Sequence, residues 1–413
     1  MDKQILKEVL LDQRNLGLKK DDVLRHLSVV KDGEVVVLSG VRRCGKSTLL
    51  HEIRSTQNES DYYLNFDDER LLNFTVSDFQ TLNELFIELF GKQSTFYFDE
   101  IQNVDGWERF VRRLRDYDNK VYVTGSNASM LSRELGTHLT GRYVQKELYP
   151  FSFKEFLSFK GIEYFDVALL STEDRALLKG HFNAYFEFGG FPAYLKSGSK
   201  EYLKSLYESV LYRDVMVRNK LTNEKELLEL VYFIASNVGK LMSYNSLAKV
   251  VGVKNATTIK SYTTFLQDSY MIFMVNKYDV ALKKQIQNAK KAYFIDLGLI
   301  RKLAFHHSED NGRLLENLVF LELKRREKEV YYHNQKKECD FVIKEKSKIV
   351  EAIQVSWNIE QEATYKREIA GLMDAVNAYG LSEGLILTES TEREITIGNV
   401  RIAIRPVWKW LLD

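Results

Sequence analysis

Gly40-Val41-Arg42-Arg43-Cys44-Gly45-Lys46-Ser47 is the stretch on which the fold turns. It matches the pattern G-x-x-x-x-G-K-[S/T] without a mismatch. A β-branched run, Val35-Val36-Val37-Leu38, leads into it, and a helical pattern, Ser47-Thr48-Leu49-Leu50-His51-Glu52-Ile53, leads out. Strand, glycine turn and helix start are the context in which this pattern makes a phosphate site. Its glycines let backbone N–H groups converge on phosphate oxygens, and the helix N-terminus adds a favourable dipole. The expected cradle runs through Gly40, Arg43, Cys44, Gly45, Lys46, Ser47 and Thr48. Lys46 is expected to reach the β- and γ-phosphates, and the Ser47 hydroxyl to ligate Mg²⁺. The cofactors so implied are ATP and Mg²⁺.

Thr95-Phe96-Tyr97-Phe98-Asp99-Glu100 is a second piece of the same site. It reads as an apolar strand ending in two acids. Such a strand is expected beside the P-loop strand, with Asp99 in the Mg²⁺ shell and Glu100 orienting the attacking water. A solvated strand end is the plainer reading of an isolated Asp-Glu pair. Two pieces of one site in the right order outweigh it.

Composition bounds the remaining choices. The chain has 413 residues, enough for two or three domains. Its 45% hydrophobic and 28% charged content is that of a globular protein, and no apolar run reaches the length of a membrane span. Two cysteines, Cys44 and Cys339, make no disulfide framework, and Met1-Asp2-Lys3-Gln4 does not begin a signal peptide. These features point to a cytoplasmic protein with no membrane partner. A net charge of +1 confines any nucleic-acid surface to a local patch.

After the P-loop, strands and helices alternate. Tyr62–Phe66 reads as a strand, 81–90 as a helix, and Lys120–Val123 as a further strand ending at Thr124-Gly125-Ser126-Asn127. Alternation of this kind specifies a mostly parallel sheet with helices on both faces, and ligands bind at the carboxyl ends of its strands. The fold class is α/β.

The motifs Phe96–Asn103 (FYFDEIQN), Val123–Leu131 (VTGSNASML) and Leu139–Phe156 (LTGRYVQKELYPFSFKEF), with the P-loop, resemble the prokaryotic AAA+ ATPases that carry a C-terminal half of unknown function. The resemblance covers nearly the whole chain. It implies a polar γ-phosphate sensor after the fourth strand, at Ser126 or Asn127. It also implies an arginine finger to a neighbouring subunit at Arg142, for which a loop ion pair is the alternative, and assembly into a ring or partial ring. Tyr149–Phe153 reads as packing, and Gly189-Gly190-Phe191-Pro192 is a turn with no readable role.

From Glu224 the pattern turns helical. Glu224–Ala235, Tyr244–Val251 and Asn255–Gln267, followed by a strand pair from Tyr270, look like a winged helix-turn-helix. Lys254, Thr257, Thr258, Lys260 and Ser261 suit phosphate and base-edge contacts, and Lys283, Lys284, Lys290 and Lys291 are expected to form a basic wing. The last part resembles a restriction-endonuclease-like core. Glu316 on a helix and Asp340 on a strand fit its metal-binding acids. On the next strand Gln354 and Ser356 stand where an acid and a lysine belong, and Glu351 faces the other way. The expected fold is thus a P-loop AAA+ ATPase domain, a winged-helix domain and a degenerate restriction-endonuclease-like α/β domain. The expected boundaries are 1–160 for the ATPase core, 161–223 for a helical lid or connector, 224–300 and 301–413.

The function expected is ATP hydrolysis coupled to DNA, branched and single-stranded forms included. The alternatives are a nucleotide-driven regulatory or defence switch that binds a protein, and an ATP-dependent nuclease.

Overall fold

The computed structural model describes residues 1–18, 22–25, 35–127, 143–163, 170–304 and 310–413. They form two compact units, Met1–Tyr149 with Asp268–Tyr270, and Pro150–Gln267 with Met271–Asp413.

The first unit runs α1 (Lys3–Arg14), β1 (Val35–Gly40), α2 (Lys46–Ser55), β2 (Tyr63–Asn65), α3 (Phe79–Phe90), β3 (Thr95–Asp99), α4 (Trp107–Asp116), β4 (Lys120–Gly125) and β5 (Tyr143–Leu148). Its sheet has the order β2-β3-β4-β1-β5, and every pair is parallel. Parallel strands are covered on both faces, so their residues are apolar throughout rather than alternately. Period two still sorts them. Val35, Val37, Phe96, Phe98, Val121 and Val123 pack with α1, α3 and α4, while Val36, Leu38, Tyr63, Tyr97 and Tyr122 pack with Leu49 and Leu50 of α2.

The strand order corrects one expectation. β3, with its two terminal acids, does not lie beside β1; β4 lies between them. Parallel strands are joined by crossovers over the sheet face, which can skip a place, so order in the chain does not fix adjacency. The consequence is chemical. The polar end of β4, from Thr124 onward, sits between the P-loop and Asp99.

The second unit opens with α5 (Phe153–Phe159), α6 (Thr172–Phe188), α7 (Pro192–Ser197) and α8 (Lys200–Ser209), the last continued by π-helical backbone over Val210–Val217. Then come α9 (Glu224–Ala235), β6 (Leu241–Met242), α10 (Tyr244–Val250), α11 (Ala256–Asp268), β7 (Ile272–Asn276), α12 (Leu282–Gln287), β8 (Lys290–Phe294) and α13 (Leu297–Leu303). The three strands form an antiparallel sheet in the order β6-β8-β7. A short helix joins β7 to β8. Asp279 starts it, accepting from Ala281 N at 2.9 Å through its carboxylate and from Gln285 Nε2 at 2.5 Å through its carbonyl.

The chain ends in α14 (Asn311–Arg325), β9 (Glu329–Asn334), β10 (Glu338–Glu345), β11 (Lys348–Val355), α15 (Glu362–Tyr379), β12 (Glu383–Thr388), β13 (Arg393–Ile397) and β14 (Val400–Pro406). These strands make a mixed sheet in the order β13-β14-β12-β11-β10-β9. Leu372, Ala375 and Val376 of α15 close its core over Val342, Ala352, Ile386 and Ile402.

The Gly189–Pro192 turn acquires a role. Asp296, the N-cap of α13, is buried and accepts from Gly190 N at 2.6 Å and Leu299 N at 3.0 Å. Gly190 must lack a side chain, since a Cβ there would stand 2.3 Å from the Phe151 carbonyl oxygen. One carboxylate thus ties the turn to the start of α13. Burial pushes the Asp296 carboxyl up to about 6, against the backbone donors that favour its charge. The folded chain therefore holds this proton above the pH at which the unfolded chain releases it. Stability conferred here is greatest at low pH and falls as pH rises from about 4 to about 6. Asp296→Asn should flatten that part of a plot of thermal midpoint against pH, a difference of roughly 3 kcal/mol across the interval. An unchanged slope would reject the assignment.

Candidate functional site

The P-loop closes the carboxyl end of β1. Gly40 cannot carry a side chain, because a Cβ would lie 2.2 Å from the Leu148 carbonyl oxygen on β5. Gly45, the N-cap of α2, has φ +105, a conformation side chains rarely adopt, and the space beside it is open. The loop therefore approaches β5 closely at one end and presents bare backbone at the other.

Lys46 is 3% exposed. Its Nζ donates to the carbonyls of Gly40 and Val41, both at 3.2 Å, and lies 3.6 Å from Glu100 Oε1. Burial is the largest influence and opposes the lysine's charge, but Glu100, Cys44 and Asp99 together outweigh it and raise the ammonium pKa. For Glu100 burial also opposes ionisation, and Lys46, Arg42 and Gln102 overcome it, holding the carboxyl below its ordinary value.

Asp99 is fully buried, and its carboxylate accepts from Thr124 Oγ1, with Ser47 as a further hydrogen-bond partner. Burial, and then the charge of Glu100, push its carboxyl up against these bonds. Thr124 serves both acids, for its Oγ1 also accepts from Glu100 N at 2.9 Å. β4 thus joins the P-loop to the acid strand. Ser126 is 1% exposed, and its Oγ has no hydrogen-bond partner among the described residues. Asn127 is buried beside it in sequence. Arg43 is exposed, Cys44 is buried with its thiol on the Leu148 carbonyl at 3.4 Å, and Thr48 is half-buried on α2. Arg142 lies outside the described residues.

Sequence reading passed over two residues. Gln102 donates from Nε2 to Glu100 Oε2 at 2.5 Å and is 4% exposed. Arg25 donates to the Cys44 carbonyl at 3.2 Å and the Tyr149 carbonyl at 2.9 Å, which braces the loop from behind. The polar Gln-Asn pair after the acids was a visible signal for Gln102. Nothing near Arg25 in the chain indicates a partner so far away.

The donors assembled fit a nucleotide with Mg²⁺. The candidate metal ligands, the Ser47 hydroxyl and the Asp99 carboxylate, are hard oxygens of the kind Mg²⁺ takes. The buried Ser126 hydroxyl, without a partner among the described residues, has a hydrogen bond to give.

The second expected constellation also comes together. Lys291 Nζ lies 2.9 Å from Glu316 Oε1, 2.9 Å from Asp340 Oδ1 and 2.8 Å from Glu338 Oε1. Tyr293 OH donates to Glu316 Oε1 at 2.6 Å. Gln354 accepts from Asp340 N at 3.2 Å and donates to Glu368 at 2.6 Å. Glu351 points elsewhere and meets Lys328 at 3.2 Å. Burial, then Asp340, raise the Glu316 carboxyl to about 7, with Lys291 and Tyr293 opposing.

This cluster corrects the basic wing. Lys254, Lys260, Lys283 and Lys284 are exposed, but Lys290 and Lys291 are buried. Lys290 donates to Asn276 Oδ1, and Lys291 is enclosed by acids. Both lie on β8, whose interior position forces even charged side chains to find partners inside the fold.

Comparison with known proteins places the chain. Residues 32–157 match the family described as AAA domain, and residues 179–310 a domain of unknown function, DUF8612. A Methanocaldococcus jannaschii protein, "Uncharacterized protein MJ1544", is 34% identical over 100% of this chain and 96% of its own length. A Haemophilus influenzae protein is 30% identical over 83% of this chain and 88% of its own. Among solved structures, a RuvB variant from Thermotoga maritima overlays 66% of this chain and 87% of its own at 17% identity, with a TM-score of 0.27, too loose to bear on function. The chain belongs to the family of these full-length relatives and is a prokaryotic AAA+ P-loop ATPase. Among the described residues no helix is long and apolar enough to cross a membrane.

Thr124→Val tests the bridge between the acids. It removes the donor to Asp99 and the acceptor of Glu100 N while keeping the shape. Two buried polar groups lose a partner, which should cost about 2 kcal/mol in a denaturant titration. A loss within error would mean that Thr124 does not link the two acids.

Proposed function

We propose that this AAA+ ATPase binds ATP with Mg²⁺ in its first unit, hydrolyses it, and grips DNA with its second. The observation that carries the nucleotide reading is the P-loop lysine beside the acid pair, with Lys46 Nζ 3.6 Å from Glu100 Oε1. The acids stand at the end of β3, two places from β1 in the sheet.

Mg²⁺ supplies charge neutralisation at the phosphates when bound. Ser47 and Asp99 would hold it. The loop N–H groups and Lys46 would bind the phosphates, with Lys46 leaving its own loop carbonyls for phosphate oxygens. Glu100, kept ionised by Lys46, Arg42 and Gln102, is placed to orient water and accept its proton. Ser126, or Asn127, would report the γ-phosphate. Arg142 is proposed as the finger to a neighbouring copy in a ring or partial ring.

For the second unit we propose a helical connector over 161–223, a winged helix-turn-helix over 224–300 and a degenerate restriction-endonuclease-like domain over 301–413. In support, α9, α10 and α11 precede the β7–β8 arm, and Lys254 between α10 and α11, Lys260 on α11, and Lys283 and Lys284 on α12 face solvent. A specific observation favours a second reading, a protein partner. Val280, Leu282 and Ile286 on the same arm are 93%, 68% and 55% exposed.

Glu100→Gln should retain nucleotide affinity and lose turnover by about a hundredfold, since it keeps the shape and removes the base. Turnover within a few-fold of the parent in a phosphate-release assay would place the base elsewhere.

DNA affinity should fall steeply with salt, because each phosphate neutralised releases condensed counterions. Reversing Lys260 and Lys284 to Glu should weaken binding on single-stranded, duplex and branched DNA alike, read by fluorescence anisotropy. Absence of DNA binding at low salt, with the apolar arm capturing a protein instead, would replace DNA by a protein partner.

A further inference from the structure

The acidic cluster of the second unit lies outside the proposed nucleotide site, and its central feature is a cation supplied by the chain itself. We infer that the Lys291 ammonium is a built-in counter-ion standing where a divalent cation would otherwise sit among Glu316, Glu338 and Asp340, and that it keeps this centre closed to metal. The inference holds whether or not DNA is what the second unit grips.

Geometry is the first ground. The ammonium donates to Glu316 on α14 and Asp340 on β10, both at 2.9 Å, and Glu338 Oε1 on β10 completes the ring as an ion pair at 2.8 Å. The oxygens converge on one point, as ligands converge on a metal, and that point is the Lys291 nitrogen. Lys291 is 1% exposed.

Its position is fixed from both sides. Asn317, one residue beyond Glu316, accepts from Phe294 N at 2.8 Å and donates to Phe294 O at 3.0 Å, which pins β8 to α14. Tyr293, on the same face of β8 as Lys291, holds Glu316 at 2.6 Å. The lysine cannot withdraw without breaking this register.

Charge is the second ground. Three carboxylates meet Lys291, while Arg313 lies close enough to Glu316 and Glu338 to feel both. The two cations offset most of the cluster's negative charge, and a divalent ion would have to displace a buried ammonium held by all three acids. Without the lysine, buried Glu316 and Asp340 would lose their ammonium partner, a costly state that draws in a cation. Their oxygen donors suit Mg²⁺ or Mn²⁺. Glu338, whose side chain is 39% exposed, leaves a route from solvent.

The test uses the full chain, stripped of nucleotide and metal, titrated with Mn²⁺ while free Mn²⁺ is followed by electron paramagnetic resonance. The parent protein should show no Mn²⁺ binding that depends on Asp340. Lys291→Met, which keeps the aliphatic stem, should gain a single Mn²⁺ site, and adding Asp340→Asn should abolish it. Using Asp340 as the control separates this centre from the P-loop. Lys291→Arg keeps the charge and should gain nothing. Lys291→Gln replaces Lys291→Met if that variant fails to fold, and carries the same expectation. Asp340-dependent Mn²⁺ binding by the parent protein would overturn the inference. So would a folded Lys291→Met or Lys291→Gln chain that gains no site.

Discussion

A buried ammonium must be paired, and this protein contains two whose pairing organises what surrounds them. Lys46 has two carbonyls of its own loop and Glu100 as partners. Lys291 has three carboxylates. Taking a charge out of water is costly, and leaving one member of such a set alone costs more than either residue contributes when paired. The two sites answer this constraint differently. Lys46 rests on acceptors, its own carbonyls among them, that phosphate oxygens can replace. Lys291 rests on carboxylates held by β10 and α14, which nothing in its surroundings would relieve.

The same contrast extends to backbone. At the nucleotide site Gly45 leaves open space, and at the end of β4 the buried Ser126 hydroxyl has no partner among the described residues. Around Lys291 the polar groups are bonded to one another. Tyr293 closes on Glu316, Val355 N donates to Asp340 at 2.9 Å, and Gln354 spans Asp340 N and Glu368. A site prepared for a ligand and a site satisfied from within can thus be told apart by where their hydrogen bonds go.

Asp296 shows the same economy in a structural role. A single buried carboxylate caps α13, fixes the Gly189–Pro192 turn and excludes any side chain from Gly189, whose Cβ would lie 2.3 Å from it. The turn was visible in the chain, but its purpose was not, because Gly190 and Asp296 are 106 positions apart.

The sequence by itself determined the α/β character of the first unit and the P-loop, and it pointed to Asp99 and Glu100 as the strand's terminal acids. These are local properties: glycine spacing, β-branched runs and acids at a strand end act within a few residues of where they are written. It also set Gln354 and Ser356 where the expected pattern would hold an acid and a lysine. Only the tertiary structure decided that β4 separates β1 from β3, so that Thr124 bridges the two acids, and that Gln102 and Arg25 support the site. It alone turned Lys291 from an expected surface cation into the centre of an acidic cluster. The physical reason is common to all of these. Strand order and side-chain burial depend on which faces meet across long stretches of chain, and residue type carries no record of that meeting.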